Sequence, residues 1–452
     1  MPSCRVAAWA VLLVFLVTGV CGDDVPAETA AQPTLTELVV GFFRSEDPGQ
    51  RTAIIKSIEE VAGGDLNLVI DAIETAKLWP ALKGEDGTFT FDSNTFGPIS
   101  VAYRLPPAYD PARPHPLMIC MPRNGGSPHT TLAFASIICG DALRDHVLLS
   151  PAGRIGGSFH QPAAAAADLP ALLREARRRI HIDANRVFLF GSGAGADAAW
   201  MAAIMHADLF AGAITMSGYP RVPYPEQAYP FLLENLRQLA VLAVWVSPDD
   251  SQATARDKVV GHHNRAIIRF AKRTSLPIIG IETPHVGALA LKPPADALLH
   301  LLDRRRPSRA DSVSHWFRYP GQGHAGWLRQ MRFLRDVWEG EQLSILPSPT
   351  TDRNEFITEV IQGKMAYLGG WVEGQTVEIE THNCARIELL LPAGLVDFDR
   401  PITVRCNGKK RYSGMLRPNI RTLLETAYDR WEFQRPPVAR LSFSIKSDHK
   451  HK

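Results

Sequence analysis

The chain has 452 residues, of which 45% are hydrophobic and 21% charged, and a formal net charge of +2. This is the composition of a globular protein of two or three domains. It excludes a disordered polyelectrolyte and supplies no bulk charge for holding nucleic acid or a strongly acidic partner.

Residues 1–22 read as a secretory signal. Arg5 supplies the positive end, Val6 to Val17 is an apolar run too short for a stable membrane span, and Val20-Cys21-Gly22 offers small residues for cleavage before Asp23. The expected location is secreted or periplasmic, with no membrane span after cleavage. A lipid anchor on Cys21 is the alternative, and the bulk of Val20 argues against it. Residues 23–34 are a polar linker. Residues 35–82 then read as a small helical segment, with Ile54, Ile55, Ile58, Val61 and Ala62 on one face, as are Leu66, Val69, Ile70 and Ile73. It ends near Trp79-Pro80 and carries no visible chemistry.

From Thr88 the pattern becomes one of strands. "TFTF" and "ISVAYRLP" alternate like a half-buried antiparallel pair. Short continuous apolar runs follow: "HPLMICMP", "DHVLLSP", "NRVFLFG", "AGAITMSG", "AVLAVWVSP" and "LPIIGIE". They alternate with helical stretches such as Leu169–Arg179 and Ala196–His206, which predicts a mainly parallel sheet covered on both faces. Ligands of such sheets bind beyond the carboxyl ends of the strands. The clusters Arg177–Arg179 and Arg304–Arg306 fall at helix ends, where cations offset the negative terminus. After Arg309 the rhythm stops. Residues 311–349 read as a connection and 350–452 as a β-rich domain, with a tight hairpin at Asn407-Gly408 and one helix near Ile420–Asp429. Cys384 and Cys406 bound two apolar runs, and antiparallel pairing of those runs would allow a bridge between them. Cys120, inside a core strand, reads as a buried thiol. No Cys/His spacing resembles a zinc site, and no cofactor is implied.

The stretch "HIDANRVFLFGSGAGADAAW", then "ADLFAGAITMSG" and "VWVSPDD", resembles the α/β-hydrolase superfamily over residues 88–310, nearest to secreted polyhydroxybutyrate-depolymerase-like esterases and prolyl-oligopeptidase-like domains. The resemblance implies an α/β fold with a doubly wound, mainly parallel α/β-hydrolase sheet. It also implies a nucleophile on a sharp strand-to-helix turn, an acid, a histidine and an oxyanion hole. The turn reads Gly191-Ser192-Gly193-Ala194-Gly195. Small residues two before and two after the nucleophile put Gly193, which has no side chain, in its place. A shifted turn presenting Ser192 is the alternative.

The resemblance puts the acid at Asp250, with Asp249 as alternate. The base is His285, by its place after the last strand, or His324, by its "GQGH" flank. His262 and His263 fall within a helix and read as solvated. The oxyanion donors are the N–H of Ala194 and the loop at Arg123 and Asn124, where the family often has His-Gly. As a phosphate cradle, "GSGAG" lacks the lysine of a P-loop. The leading expectation is a hydrolase-fold protein without its nucleophile, binding a small-molecule, polyester or peptide ligand. The rival is an active serine hydrolase using Ser192. A third reading is a hydrolase that activates water directly.

Overall fold

A computed structural model describes residues 32–82, 84–153, 162–284, 287, 289–307, 310–337, 352–434 and 436–445. The expected signal segment and His285 lie outside the described residues. Among the described residues no helix is long and apolar enough to cross a membrane.

Three helices come first: α1 (Leu35–Arg44), α2 (Pro48–Ala62) and α3 (Leu66–Thr75). Asp47 and Asp65 cap α2 and α3 by accepting from the N–H groups of Gly49 and Asn67. Of the predicted apolar face of α2, Ile55, Ile58 and Ala62 are buried, whereas Val61 is exposed.

The central sheet contains β1 (Asp86–Ser93), β2 (Gly97–Arg104), β3 (His115–Met121), β4 (Val147–Pro151), β5 (Ile182–Ser192), β6 (Gly212–Met216), β7 (Ala240–Val246) and β8 (Ile278–Thr283). Their order is β1-β2-β4-β3-β5-β6-β7-β8. Only β2 runs against the others. The connecting helices are α4 (Pro128–Cys139), α5 (Pro162–Arg179), α6 (Ala194–Met205), α7 (Pro225–Leu232), α8 (Ala255–Thr274) and α9 (Ala295–Leu302). The continuous apolar runs are explained by two cores. Leu117, Ile119, Val187 and Leu189 face one. Met118, Cys120, Phe188 and Phe190 face the other. Since successive side chains point to opposite faces, a strand covered on both sides needs apolar residues throughout.

The remaining elements are β9 (Ser312–Phe317), β10 (His324–Ala325), β11 (Leu328–Phe333), α10 (Arg353–Gly363), β12 (Ala366–Glu373), β13 (Thr376–His382), β14 (Cys384–Pro392), β15 (Ile402–Cys406), β16 (Lys409–Gly414), α11 (Ile420–Arg430) and β17 (Pro437–Ser444). They form a sandwich of two sheets, β10-β11-β14-β17 and β16-β15-β13-β12-β9. The β15–β16 hairpin turns at Asn407 and Gly408, with φ of 51° and 72°, as their sequence predicts.

Three expectations are corrected here. Residues 312–333 are not a connection, because β9 pairs with β12 and β11 with β14 inside the sandwich. The helical segment is not a separate spacer. Val39, Phe42 and Phe43 share a core with Leu423, Leu424 and Trp431 of the carboxyl-terminal part, and the Phe43 and Trp431 rings meet edge to face at 5.4 Å. Cys384 and Cys406 are free thiols. Their strands sit in opposite sheets rather than pairing, so both sulfurs enter the sandwich core as small apolar groups.

Reductant should therefore leave the melting temperature unchanged. A fall of several degrees would reveal a bridge. Phe43→Ala should cost about 3–5 kcal/mol, as the truncation of a fully buried ring does, read from urea unfolding.

Candidate functional site

The bend between β5 and α6 is built from backbone packed on backbone. A Cβ at Gly191 would lie 2.1 Å from the carbonyl oxygen of Gly195, and one at Gly195 would lie 2.3 Å from that of Met121. Neither oxygen can withdraw, since both belong to main chain. Between them stands Gly193, with φ 58° and ψ −121°. A Cβ there would meet no atom within 4 Å. Its N–H donates to the Met216 carbonyl at 2.8 Å, and its own carbonyl accepts from Ala196 and Asp197. Ser192 is still in the strand ladder, opposite Met216 of β6. Ala194 opens α6, in the turn whose N–H groups have no intrahelical acceptor.

The loop after β3 runs beside this bend. Arg123 and Asn124 are exposed there, in a turn closed by the Gly126 N–H on the Arg123 carbonyl. Asp250 lies just beyond β7, partly exposed, and accepts from the Gln252 N–H at 2.7 Å. Asp249 is paired instead with Arg265, which also holds Glu282 at 2.6 Å.

His324 does not join these groups. It faces Asp208, Arg430 and His206. His206 and Asp208 lie in the connection from α6 to β6, at the amino edge of the sheet. The bend between β5 and α6, the elbow, is at the carboxyl edge. The "GQGH" flank resembles a catalytic histidine loop, but the sandwich carries it to the other side of the sheet.

Sequence reasoning also missed Asp197. This carboxylate is fully buried in the first turn of α6, receives the Tyr219 N–H at 3.1 Å, and pairs with Arg256 at 3.1 Å. A lone acid in the alanine run "GAGADAAW" was the available signal, because α6 is buried on every side. His263, read as solvated, is half-buried and stacks on Tyr219 with ring centroids 4.4 Å apart.

Gly191→Ala and Gly195→Ala should each destabilise the fold by about 2–4 kcal/mol through forced backbone displacement. Gly193→Ala should cost no more than about 1–2 kcal/mol, for its positive φ alone. Chemical denaturation of the three variants checks the order.

Acid should act through the opposite edge. Burial first, only partly opposed by Asp208, holds His315 at about 4. Burial and then Arg430 hold His324 at about 3. Both lie below the ordinary 6.5, so the unfolded chain takes up more protons as pH falls through that value. Stability is intact above 6.5 and declines toward pH 4, by about 2–5 kcal/mol for the pair. Burial would raise Asp208, but Arg430 and the nearby histidines outweigh it and hold it at about 2. Its pairing is therefore lost only below 3.8, in a separate window. A double variant, His315→Gln with His324→Gln, should flatten the decline between pH 6.5 and 4.5 in urea titrations.

The chain matches no protein-family model and no curated protein. Solved structures similar to it include a thermostable esterase, at 16% identity over 49% of this chain and 63% of that one, with a TM-score of 0.39. A ferulic acid esterase is similar at 13% identity, over 48% and 96%, with a TM-score of 0.38. A dipeptidyl aminopeptidase IV of Bacteroides ovatus, described as putative, is similar at 10% identity, over 48% and 35%, with a TM-score of 0.37. The chain thus spans less than two thirds of the first of these and about a third of the last. The fold rests instead on the strand order, the single antiparallel strand and the bend after β5. The central domain has the α/β-hydrolase fold.

Proposed function

We propose that this chain is a hydrolase-fold protein whose nucleophile position is vacant, and that it binds a small-molecule, polyester or peptide ligand without forming a covalent intermediate. The observation that carries this reading is the apex of the bend. Gly193 has the left-handed φ that an elbow imposes on its nucleophile, and open space where the side chain would project. Ser192, one residue earlier and still in register with Met216, does not occupy that apex.

In this reading Asp250 and His285 keep the places of acid and base, and the Ala194 N–H and the Arg123–Asn124 loop keep those of the oxyanion donors. Loss of a triad nucleophile costs on the order of a million-fold in turnover. An oxyanion hole and binding alone leave roughly 10³–10⁴ over water. The retained elbow is then a shaped, hydrogen-bonding recess. The apolar amino-terminal run supports secretion as the setting of this role.

A fluorophosphonate probe tests the proposal. The wild-type protein should remain unlabelled. Gly193→Ser should acquire the label and ester hydrolysis at least ~100-fold above wild type, at a stability cost of about 1–3 kcal/mol for its φ. Wild-type labelling that Ser192→Ala abolishes would overturn the vacancy. A folded Gly193→Ser protein that stays unlabelled would overturn the assignment of Asp250, His285 and the oxyanion donors.

A further inference from the structure

A cavity of about 960 Å³ lies at the amino edge of the central sheet, opposite the elbow, between that sheet and the sandwich. Its size is that of a small-molecule site. Six arginines line it against three carboxylates, and two of them, Arg329 and Arg237, are paired with Glu388 and Glu234 outside the lining. At its inner end three guanidinium groups share two acids. Arg177 and Arg306 both meet Glu432, and Arg430 meets Asp208 at 2.9 Å.

The way Arg177 is used is informative. Its side chain is only 3% exposed, yet it touches Glu432 through Nη1 alone, at 3.3 Å. Its Nε and Nη2 are buried and unpartnered. That edge of a guanidinium can hold an oxyanion through two parallel hydrogen bonds. An arginine retained only to neutralise Glu432 would gain most by turning the edge toward it. Two further nitrogens of lining residues are likewise buried without a partner: Arg306 Nε and His324 Nδ1. Leaving such buried groups unsatisfied is costly, and an anion among them offsets that cost. The basic residues that seemed to serve only helix ends, Arg177 and Arg306, are therefore interior groups.

We propose that this cavity binds an oxyanion-bearing small molecule, with Arg177 and Arg306, whose buried donor atoms lack partners, as the principal contacts and His324 as a further one. The volume far exceeds what a bare inorganic anion fills, and Trp327, Tyr367 and Trp371 line it as well. The ligand is thus an organic acid, or a phosphate or sulfate ester, with an apolar body. This site is independent of the elbow and does not rest on the vacancy at Gly193.

The test is thermal melting of the full-length protein with sodium phosphate, sulfate or succinate, each against sodium chloride of equal ionic strength. Specific binding raises the melting temperature along a saturating curve. Exclusion of sulfate from protein surface raises it without saturation. A saturating rise is expected with at least one anion, and which anion saturates separates phosphate and sulfate esters from carboxylates. Arg177→Met should weaken the apparent affinity at least tenfold. Should that variant fail to fold, His324→Ala serves, since His324 makes no ion pair among the described residues, and a loss of several-fold is expected. No rise beyond chloride, or rises that match in wild type and variant, would overturn the proposal.

Discussion

Main chain pressed against main chain at one bend organises this protein. The contacts that forbid a Cβ at Gly191 and Gly195 bring β5, the start of α6 and the end of β3 within van der Waals reach of one another. Because the chain reverses there so tightly, α6 enters directly beneath the sheet and is buried on all sides. Small side chains follow from that position, and so does the need to satisfy the one carboxylate it carries. Asp197 is held by Arg256 and the Tyr219 N–H, and this ties the end of β6 to the elbow. The apex between the two crowded glycines has room to spare.

The two edges of the sheet have different chemistry. At the carboxyl edge stand an open apex, helix-start N–H groups and an exposed loop. At the amino edge, charges are buried. Glu432 draws Arg177 from α5 and Arg306 from beyond α9 to the chain leaving α11, and Asp208 draws Arg430. Asn235 adds a neutral tie, donating to the Ile204 and Trp316 carbonyls and accepting from the Trp316 N–H. These contacts dock the sandwich under the sheet. Breaking a buried pair from one side leaves an uncompensated charge, so such a seam favours a single docking geometry. The same geometry carries His324 away from the elbow.

The amino-terminal helices are part of that assembly. The core they share with α11 is aromatic: Phe42, Phe43, Trp79, Tyr428, Trp431 and Phe433 meet mostly edge to face. Trp79 also stacks on His181 at 3.5 Å and donates to the Arg177 carbonyl at 2.7 Å. The first helices thereby brace the helix that presents Arg177 to the cavity.

What the sequence by itself determined is local. Apolar runs marked β3 to β8, the spacing of small residues marked the bend and placed Gly193 at its apex, and Asn407-Gly408 marked a hairpin. These signals are legible because periodicity, turn φ and close backbone approach act between residues a few positions apart. Tertiary structure alone decided the rest. It put His324 at the amino edge, Cys384 and Cys406 in opposite sheets, α1 to α3 against α11, and Arg177 and Arg306 inside. Each of these depends on which surfaces remain to be covered once distant elements meet. A helix-end arginine reads the same in sequence whether water or Glu432 receives it, and only the docked sandwich removes the water.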